Sequence, residues 1–218
     1  MDKEEEAIVH DLKKAIYEYN GELAFKSAQK AIKKKLDPLI GLNAMTEAIR
    51  DIGDSFGRGE LWLPDLVGAS DAMQSAIPVF DEELKKTGAQ RKSLGVIVIG
   101  TVFGDIHSIG KTMVATLLTA AGFQVVDLGV NVKAEQFIHA IKNQNADMLA
   151  MSALMTTTCS EQEKVIAELK KEKIKESVKV MVGGAAVTEE FAENIGADGY
   201  DPTAPGAVFM AKKLLEIE

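Results

Sequence analysis

Two rhythms divide the chain. From Asp2 to about Lys86 apolar residues recur every three or four positions, the spacing of helices that bury one face. Ile8, Leu12, Ala15, Ile16 and Tyr19 form the first stripe, and Asn20-Gly21 ends it. A second helix is expected over 22–35. Asp37-Pro38 then reads as an N-cap followed by proline at the first helical position, opening a third helix that carries Leu39, Leu42, Met45, Ile49 and Ile52 inward. Phe56-Gly57-Arg58-Gly59 breaks the pattern, and Leu63-Pro64-Asp65 restarts it in a long helix through Met73, Ile77, Phe80 and Leu84. Four helices with short connections predict a bundle. After the polar, basic run 85–92, expected as a linker, short apolar runs appear at 94–101, 124–128, 148–152, 179–182 and 199–200. Amphipathic helices are expected between and after them, at about 109–121, 134–143, 160–173, 189–195 and 204–216. Five strands alternating with five helices call for a parallel sheet with right-handed crossovers and both faces covered. The expected organisation is therefore a helical domain over 1–88 and an α/β domain over 89–218, with no internal repeat and no low-complexity tract.

Composition narrows the function more than the fold. The 218 residues are 46% hydrophobic and 27% charged, ordinary for a globular protein. A net charge of −8 argues against an electrostatic footprint for nucleic acid or anionic lipid. The acidic opening Met1-Asp2-Lys3-Glu4-Glu5-Glu6 is unlike a secretory signal, and the nearly apolar run 94–104 is about half a membrane span. A single cysteine, Cys159, leaves no intrachain disulfide and no zinc cluster. These features lead to the expectation of a cytoplasmic protein with no membrane or nucleic-acid partner.

The candidate chemistry lies at strand ends. Gly104-Asp105-Ile106-His107-Ser108-Ile109-Gly110 follows the first strand, Ser152-Ala153-Leu154 the third, and Gly183-Gly184 the fourth. In an open parallel sheet these ends share one edge, and ligands bind there. Residues at i and i+2 leaving a strand point the same way. Asp105 can then accept a hydrogen bond from one nitrogen of His107, fixing the tautomer, while the other nitrogen faces a ligand. Gly110 opens the next helix, where a missing side chain admits something bulky. Three competing readings exist. Gly110-Lys111-Thr112 resembles the end of a phosphate-binding loop, but Gly104 and Gly110 enclose five residues where that loop needs four, and Asp105 would repel a phosphate. A zinc site lacks a third ligand, because His10 and His139 fall on expected helix surfaces. An isolated Asp-x-His is most simply a satisfied loop pair.

The whole constellation favours another reading. Between Gly110 and Ser152 lie 41 residues, and between Leu154 and Gly183 lie 28. Asp-x-His-x-x-Gly, Ser-x-Leu and Gly-Gly in this order and spacing resemble the cobalamin-binding domains of methyl-transferring corrinoid proteins and of some mutases. The stretch Phe56-Gly57-Arg58-Gly59-Glu60-Leu61-Trp62-Leu63-Pro64-Asp65-Leu66 looks like part of the helical cap that precedes that domain in the methyl-carrying branch. The resemblance spans essentially the whole chain and implies a four-helix cap followed by a flavodoxin-like (Rossmann-like) α/β domain. It implies that His107 replaces the cofactor's own benzimidazole as the lower ligand of cobalt, with Asp105 tuning that bond. It implies that Gly104, Ser108, Ile109 and Gly110 build the loop around the cofactor, and that Ser152 and Leu154 line a slot for the displaced nucleotide tail. Gly183 and Gly184 would leave that tail room. A hydroxyl extends the relay in relatives, and Thr158 is the candidate. Thr156 is placed with the cofactor residues, although helix N-capping explains Thr156-Thr157-Thr158 equally well. Phe56, Trp62 and Met73 are candidates for a lid over the upper face, and also for bundle core.

The resemblance further implies a carrier and not a self-sufficient enzyme. A barrel that holds a substrate would take roughly 250 further residues. A substrate-specific methyltransferase would load a methyl group and a second methyltransferase would remove it, with a reductive activase as a further partner. The motifs look most like the methylamine corrinoid proteins, but Val102-Phe103 stands before Gly104 where those relatives usually carry an acidic residue. Methanol, betaine-type amines and methoxylated aromatics stay open as donors. A mutase subunit or a cobalamin-based sensor is the alternative from another class; the helical cap weighs against the first, and acidic charge without a DNA-binding module against the second.

Overall fold

The apolar stripes of the first rhythm become the inner faces of four helices: α1 (Lys3–Tyr17), α2 (Gly21–Lys33), α3 (Pro38–Gly57) and α4 (Leu63–Thr87). The computed structural model describes residues 2–87 and 93–217. The starts of α1, α2 and α3 are each set by a side chain that satisfies free amide groups. Asp2 forms a capping box with Glu5, Asn20 accepts from the Leu23 amide, and Asp37 accepts from the Leu39 amide ahead of Pro38. Ile8, Leu12, Ile16, Met45, Ile49, Met73 and Phe80 are fully enclosed. Met73 is thus bundle core, whereas Trp62 in the α3–α4 connection is 75% exposed. Of the linker expected over 85–92, only the first three residues are described. Lys85, Lys86 and Thr87 continue α4, where Lys86 pairs with Glu82 at 3.2 Å and Glu83 at 3.3 Å.

The contacts divide the chain into two compact units, Met1–Lys92 and Ser93–Glu218. The boundary expected between 88 and 89 lies outside the described residues. The second unit holds β1 (Val96–Thr101), α5 (Ile109–Ala120), β2 (Gln124–Asp127), α6 (Ala134–Gln144), β3 (Met148–Ser152), α7 (Thr156–Lys171), β4 (Lys179–Gly183), α8 (Glu189–Ile195), β5 (Gly199–Tyr200) and α9 (Ala204–Leu214). A short 3-10 turn, Lys175–Ser177, was not expected. All strands pair in parallel in the order β2-β1-β3-β4-β5. The chain leaves β1 towards β2 and then crosses to β3 on the other side, so the strand order reverses at β1. A crevice opens at the carboxyl ends there.

Strand alternation sorts the sheet into two apolar layers. Ile97, Ile99, Met148, Ala150 and Met181 face α5 and α9, joined by Leu118, Phe123 and Ala211. Val98, Leu149, Met151, Val180 and Val182 face the opposite layer, with Phe137, Ile166 and Leu169. The register aligns side chains in rows across three strands. Thr101 stands beside Ser152, and Ser152 beside Gly183; two residues back, Ile99, Ala150 and Met181 form the next row. Two element starts differ from expectation. Leu94 is exposed and Gly95 takes φ +152, so β1 begins at Val96. α7 begins at Thr156 and not at 160, with Met155 as its N-cap. Among the described residues no helix is long and apolar enough to cross a membrane.

Gly41 on α3 shows how tightly the bundle is closed. A Cβ there would lie 2.4 Å from Cζ of the fully buried Phe80 ring. Gly41→Ala is expected to destabilise the helical unit by about 1–3 kcal/mol, read as a lower urea midpoint in far-UV circular dichroism. An unchanged midpoint would mean that the ring is free to move.

Candidate functional site

The loop after β1 is held from several directions. Gly104 turns it with φ +79, a backbone conformation open to glycine at little cost. The Gly104 amide donates to Asn131 Oδ1 at 2.8 Å, and the Asn131 amide donates to the Asp105 carbonyl at 2.9 Å. Thr101 Oγ1 donates to the His107 carbonyl at 2.9 Å. These ties send Asp105 inward, where it has no exposed surface, and leave Ile106 facing out, 74% exposed.

Asp105 gathers four donors. Oδ1 accepts from the His107 amide at 3.0 Å and faces His107 Nδ1 at 2.7 Å. Oδ2 accepts from the Leu154 amide at 2.8 Å and from Thr158 Oγ1 at 2.7 Å. Burial alone pushes the carboxyl up. The donors, Thr158 foremost, outweigh it and hold the group well below the usual carboxylate range. An ionised carboxylate only accepts, so Nδ1 of His107 must carry its hydrogen. In the neutral ring the lone pair then sits on Nε2, which has no protein hydrogen bond among the described residues. The His107 side chain is 46% exposed. Among the described residues no group of three or more His, Cys, Asp or Glu could hold a metal ion, which removes the zinc reading for them.

Beside this pair a cavity of about 540 Å³ opens between the sheet and helices α5 and α9. His107, Gly110, Ser152, Leu154, Gly183 and Gly184 all line it. Gly104, Asp105, Ser108, Ile109, Thr156 and Thr158 do not. Gly104, Asp105 and Thr158 support the imidazole from behind. Ser108 precedes α5 without a side-chain cap, Ile109 is 67% exposed, and Thr156 is exposed at the start of α7. Thr158 spends its hydroxyl on Asp105 and the Met155 carbonyl, and does not cap the helix from its N-cap position.

The two adjacent glycines differ in kind. A Cβ on Gly183 would come no nearer than 3.7 Å to another group, the Asp201 carbonyl, so this glycine leaves space. Gly184 has φ +124, and a Cβ there would fall 1.9 Å from the Ala153 carbonyl oxygen. Gly184 therefore lets the ends of β3 and β4 approach each other, a role distinct from the room-making expected of both. Gln162 strengthens the same junction: fully buried, its Nε2 donates to the Met151 and Gly183 carbonyls at 3.1 and 3.2 Å.

Gln162, Asn131 and Thr101 went unnoticed in the sequence, and only Asn131, an Asn in a turn, offered a local signal. Lys111 drew attention in the sequence through the resemblance of Gly110-Lys111-Thr112 to the end of a phosphate-binding loop. It is buried at the start of α5 and pairs with Asp127 at the end of β2, tying that helix to the sheet. Cys159 is buried, and burial together with the Asp105 charge raises its thiol pKa. Phe103, Ile106, Ile109, Leu154 and Met155 are exposed on the loops that flank the site, an apolar concentration that suits a large ligand face.

Two outcomes follow. Asp105→Asn is expected to lower stability at pH 7 by about 1–3 kcal/mol, because an amide cannot accept all four hydrogen bonds. A depressed carboxyl favours the folded chain above the unfolded value of about 3.9, and that contribution is lost as pH falls through the folded value. The gap between parent and variant should therefore narrow below about pH 4 in denaturation curves; a gap independent of pH would contradict the ionised carboxylate. Gly184→Ala is expected to cost about 2 kcal/mol or more through strain and overlap, whereas Gly183→Ala should change stability by less than about 1 kcal/mol. Equal effects from the two would erase the distinction between them.

Similarity to known proteins matches this geometry. Residues 95–209 match a family model described as a B12 binding domain, and residues 8–79 match a second model with the same description. A trimethylamine corrinoid protein of Methanosarcina barkeri is 42% identical over 213 residues, covering 97% of this chain and 98% of that protein. A dimethylamine corrinoid protein of Methanosarcina mazei is 42% identical over 211 residues, covering 96% and 97%. Among solved structures, the methanol:cobalamin methyltransferase complex of Methanosarcina barkeri aligns with a TM-score of 0.79 at 31% identity, covering 96% of this chain and 80% of that one. The monomethylamine corrinoid protein of the same organism aligns with a TM-score of 0.54 at 33% identity, covering 96% and 99%. With B12-binding models matched in both units and relatives this similar along nearly its full length, the chain belongs to the corrinoid-binding proteins of the methylamine and methanol methyltransferase systems.

Proposed function

We propose that this chain carries a methyl group on the cobalt of its corrinoid, with His107 Nε2 as the lower cobalt ligand and the cofactor's nucleotide tail in the cavity beside it. The observation that carries this reading is the His107–Asp105–Thr158 chain of hydrogen bonds, which leaves one imidazole nitrogen free of protein hydrogen bonds among the described residues, on a residue that lines the cavity. The residues present fit the group. A lone histidine is a poor site for a bare metal ion, but it suffices where a macrocycle brings the other ligands. Gly110 and Gly183 leave open space on the cavity side, and the exposed apolar side chains around the loop offer a face for a flat ring.

When bound, the corrinoid supplies a cobalt atom able to accept and release a methyl group. The chain's own residues would hold that cobalt through His107 and set how strongly its Nε2 donates. Asp105 stays ionised and draws on the Nδ1 hydrogen, which makes Nε2 a stronger donor. Thr158 and the Leu154 amide limit how far that carboxylate can take the proton for itself. Electron density at Nε2 thus follows the position of one hydrogen between His107 and Asp105.

The trimethylamine and dimethylamine relatives support a methylated amine as donor, delivered by a substrate-specific methyltransferase. The likeness to a methyltransferase complex supports a partner of that kind. Under this reading a second methyltransferase takes the methyl group onward, and a reductive activase restores the cofactor after oxidation. The helical unit matches its own B12-binding model and contributes to holding the corrinoid under this reading.

Mixed with hydroxocobalamin, the full chain is expected to acquire the absorption spectrum of a base-off, histidine-ligated corrinoid, and His107→Ala to lose it. Identical spectra for parent and variant would overturn the ligand assignment. For the donor, cell extract containing the partner enzymes should label the holoprotein from [14C]trimethylamine, and labelling from methanol alone would reverse that part of the proposal.

A further inference from the structure

Resting on the reading of His107 as the protein ligand of cobalt, we infer that Gln162 is a positioning residue for that ligand: it holds the segment between β3 and α7 so that both donors to Asp105 Oδ2 stay in place. Those donors are the Leu154 amide at 2.8 Å and Thr158 Oγ1 at 2.7 Å. Gln162 follows both in the chain, and its Nε2 reaches back to the Met151 carbonyl, eleven residues earlier, at 3.1 Å. This bond closes a loop over 152–161 that contains each donor. The same nitrogen donates to the Gly183 carbonyl at 3.2 Å, which anchors the closure to β4 as well as to β3. Thr158 and Gln162 stand four residues apart on α7 and so share a face. One meets the carboxylate and the other meets the strand ends, which together fix how α7 slides and how it turns about its axis. The peptide joining Ala153 to Leu154 is gripped from both sides. The Ala153 amide donates to the Gly183 carbonyl at 3.0 Å. The Ala153 carbonyl lies against Gly184, where a Cβ would come within 1.9 Å of it. A trans peptide points its N–H away from its C=O, so the Leu154 amide faces the other way, onto Asp105.

The chemistry of this side chain does not suit a filler of space. Gln162 has no exposed surface, and its Oε1 meets no donor among the described residues. A buried amide oxygen without a donor costs stability. Methionine would occupy similar space without that cost. Nor does the Gly183 carbonyl depend on Gln162, since it already accepts from the Ala153 amide. What the amide adds is geometry at the end of Asp105 remote from the imidazole. With Oδ2 pinned by two donors, the carboxylate cannot turn about its own axis, and Oδ1 stays 2.7 Å from His107 Nδ1. With Oδ2 released, the carboxylate rocks and the imidazole rocks with it. Gln162 does not line the cavity, so it acts on His107 through Leu154 and Thr158.

The test reads the full chain with and without corrinoid. In the corrinoid-free chain labelled with 15N at histidine, nuclear magnetic resonance follows exchange of the His107 Nδ1 hydrogen with solvent. His107→Ala separates its signals from those of His10 and His139. Gln162→Met is expected to speed that exchange at least tenfold while the urea midpoint stays level or rises. Titrated with diaquocobinamide, a corrinoid that has no nucleotide, the same variant is expected to bind roughly tenfold more weakly than the parent, the worth of about one hydrogen bond. Exchange at the parent's rate in folded Gln162→Met would overturn the inference, whatever the midpoint does. Should Gln162→Met fail to fold, Gln162→Asn, whose amide falls one methylene short of both carbonyls, is read in the same way. Equal binding of diaquocobinamide by the parent and by His107→Ala would overturn the ligand reading instead, and the exchange rates would still decide what Gln162 does to the imidazole.

Discussion

A buried carboxylate is tolerable only when its charge is answered, and Asp105 is answered four times. The donors come from three places: the loop after β1, the end of β3 and the first turn of α7. Each is fixed by the others through one side chain. The imidazole gains its orientation and tautomer from that arrangement, so its reactivity rests on a feature of the fold as well as on the ring. The surrounding backbone is committed to the same end, with Asn131 holding both Gly104 and Asp105 and Thr101 holding the His107 carbonyl.

The parallel sheet supplies the second half of the site at little extra cost. Because β1, β3 and β4 end level with one another, their last side chains form a polar edge and the preceding ones an apolar floor. A ligand entering there meets water-compatible groups first and hydrocarbon last. Gly184 and Gln162 keep the ends of β3 and β4 drawn together, so the slot has a wall on that side. The ion pair of Lys111 with Asp127 performs a similar service for α5, whose first turn borders the cavity. Rigid placement of both walls and ligand reduces what binding must spend on ordering the protein.

Much of this could be read from the amino acids in order. Helical and strand rhythms located the elements, because burial of one face leaves a period that sequence preserves. The pairing of Asp105 with His107 was legible because an i, i+2 spacing at a strand end fixes direction. Thr158 was only a candidate, since hydroxyls at a helix start serve capping as readily as relay. Its helix begins four residues before the expected position, the polar run Thr156-Thr157-Thr158 having hidden the first turn. The close approach of Gly184 to the Ala153 carbonyl was not legible, because a glycine's neighbours in space cannot be read from its neighbours in sequence. The row formed by Ile99, Ala150 and Met181 was illegible for the same reason: strand register is a property of pairing, and each residue alone looks like ordinary core.

The claim beneath all of this is that nitrogen from the protein, and not from the cofactor's own base, sits beneath cobalt. It can be read directly from the paramagnetic cobalt(II) form of the corrinoid bound to protein labelled with 15N at histidine alone. Electron paramagnetic resonance lines coupled to one axial 15N split into two, whereas an axial nitrogen from unlabelled cofactor splits them into three. Doublets are the expected result with labelled protein and ordinary cofactor. Triplets would place the benzimidazole on the metal and leave His107 without the role assigned to it.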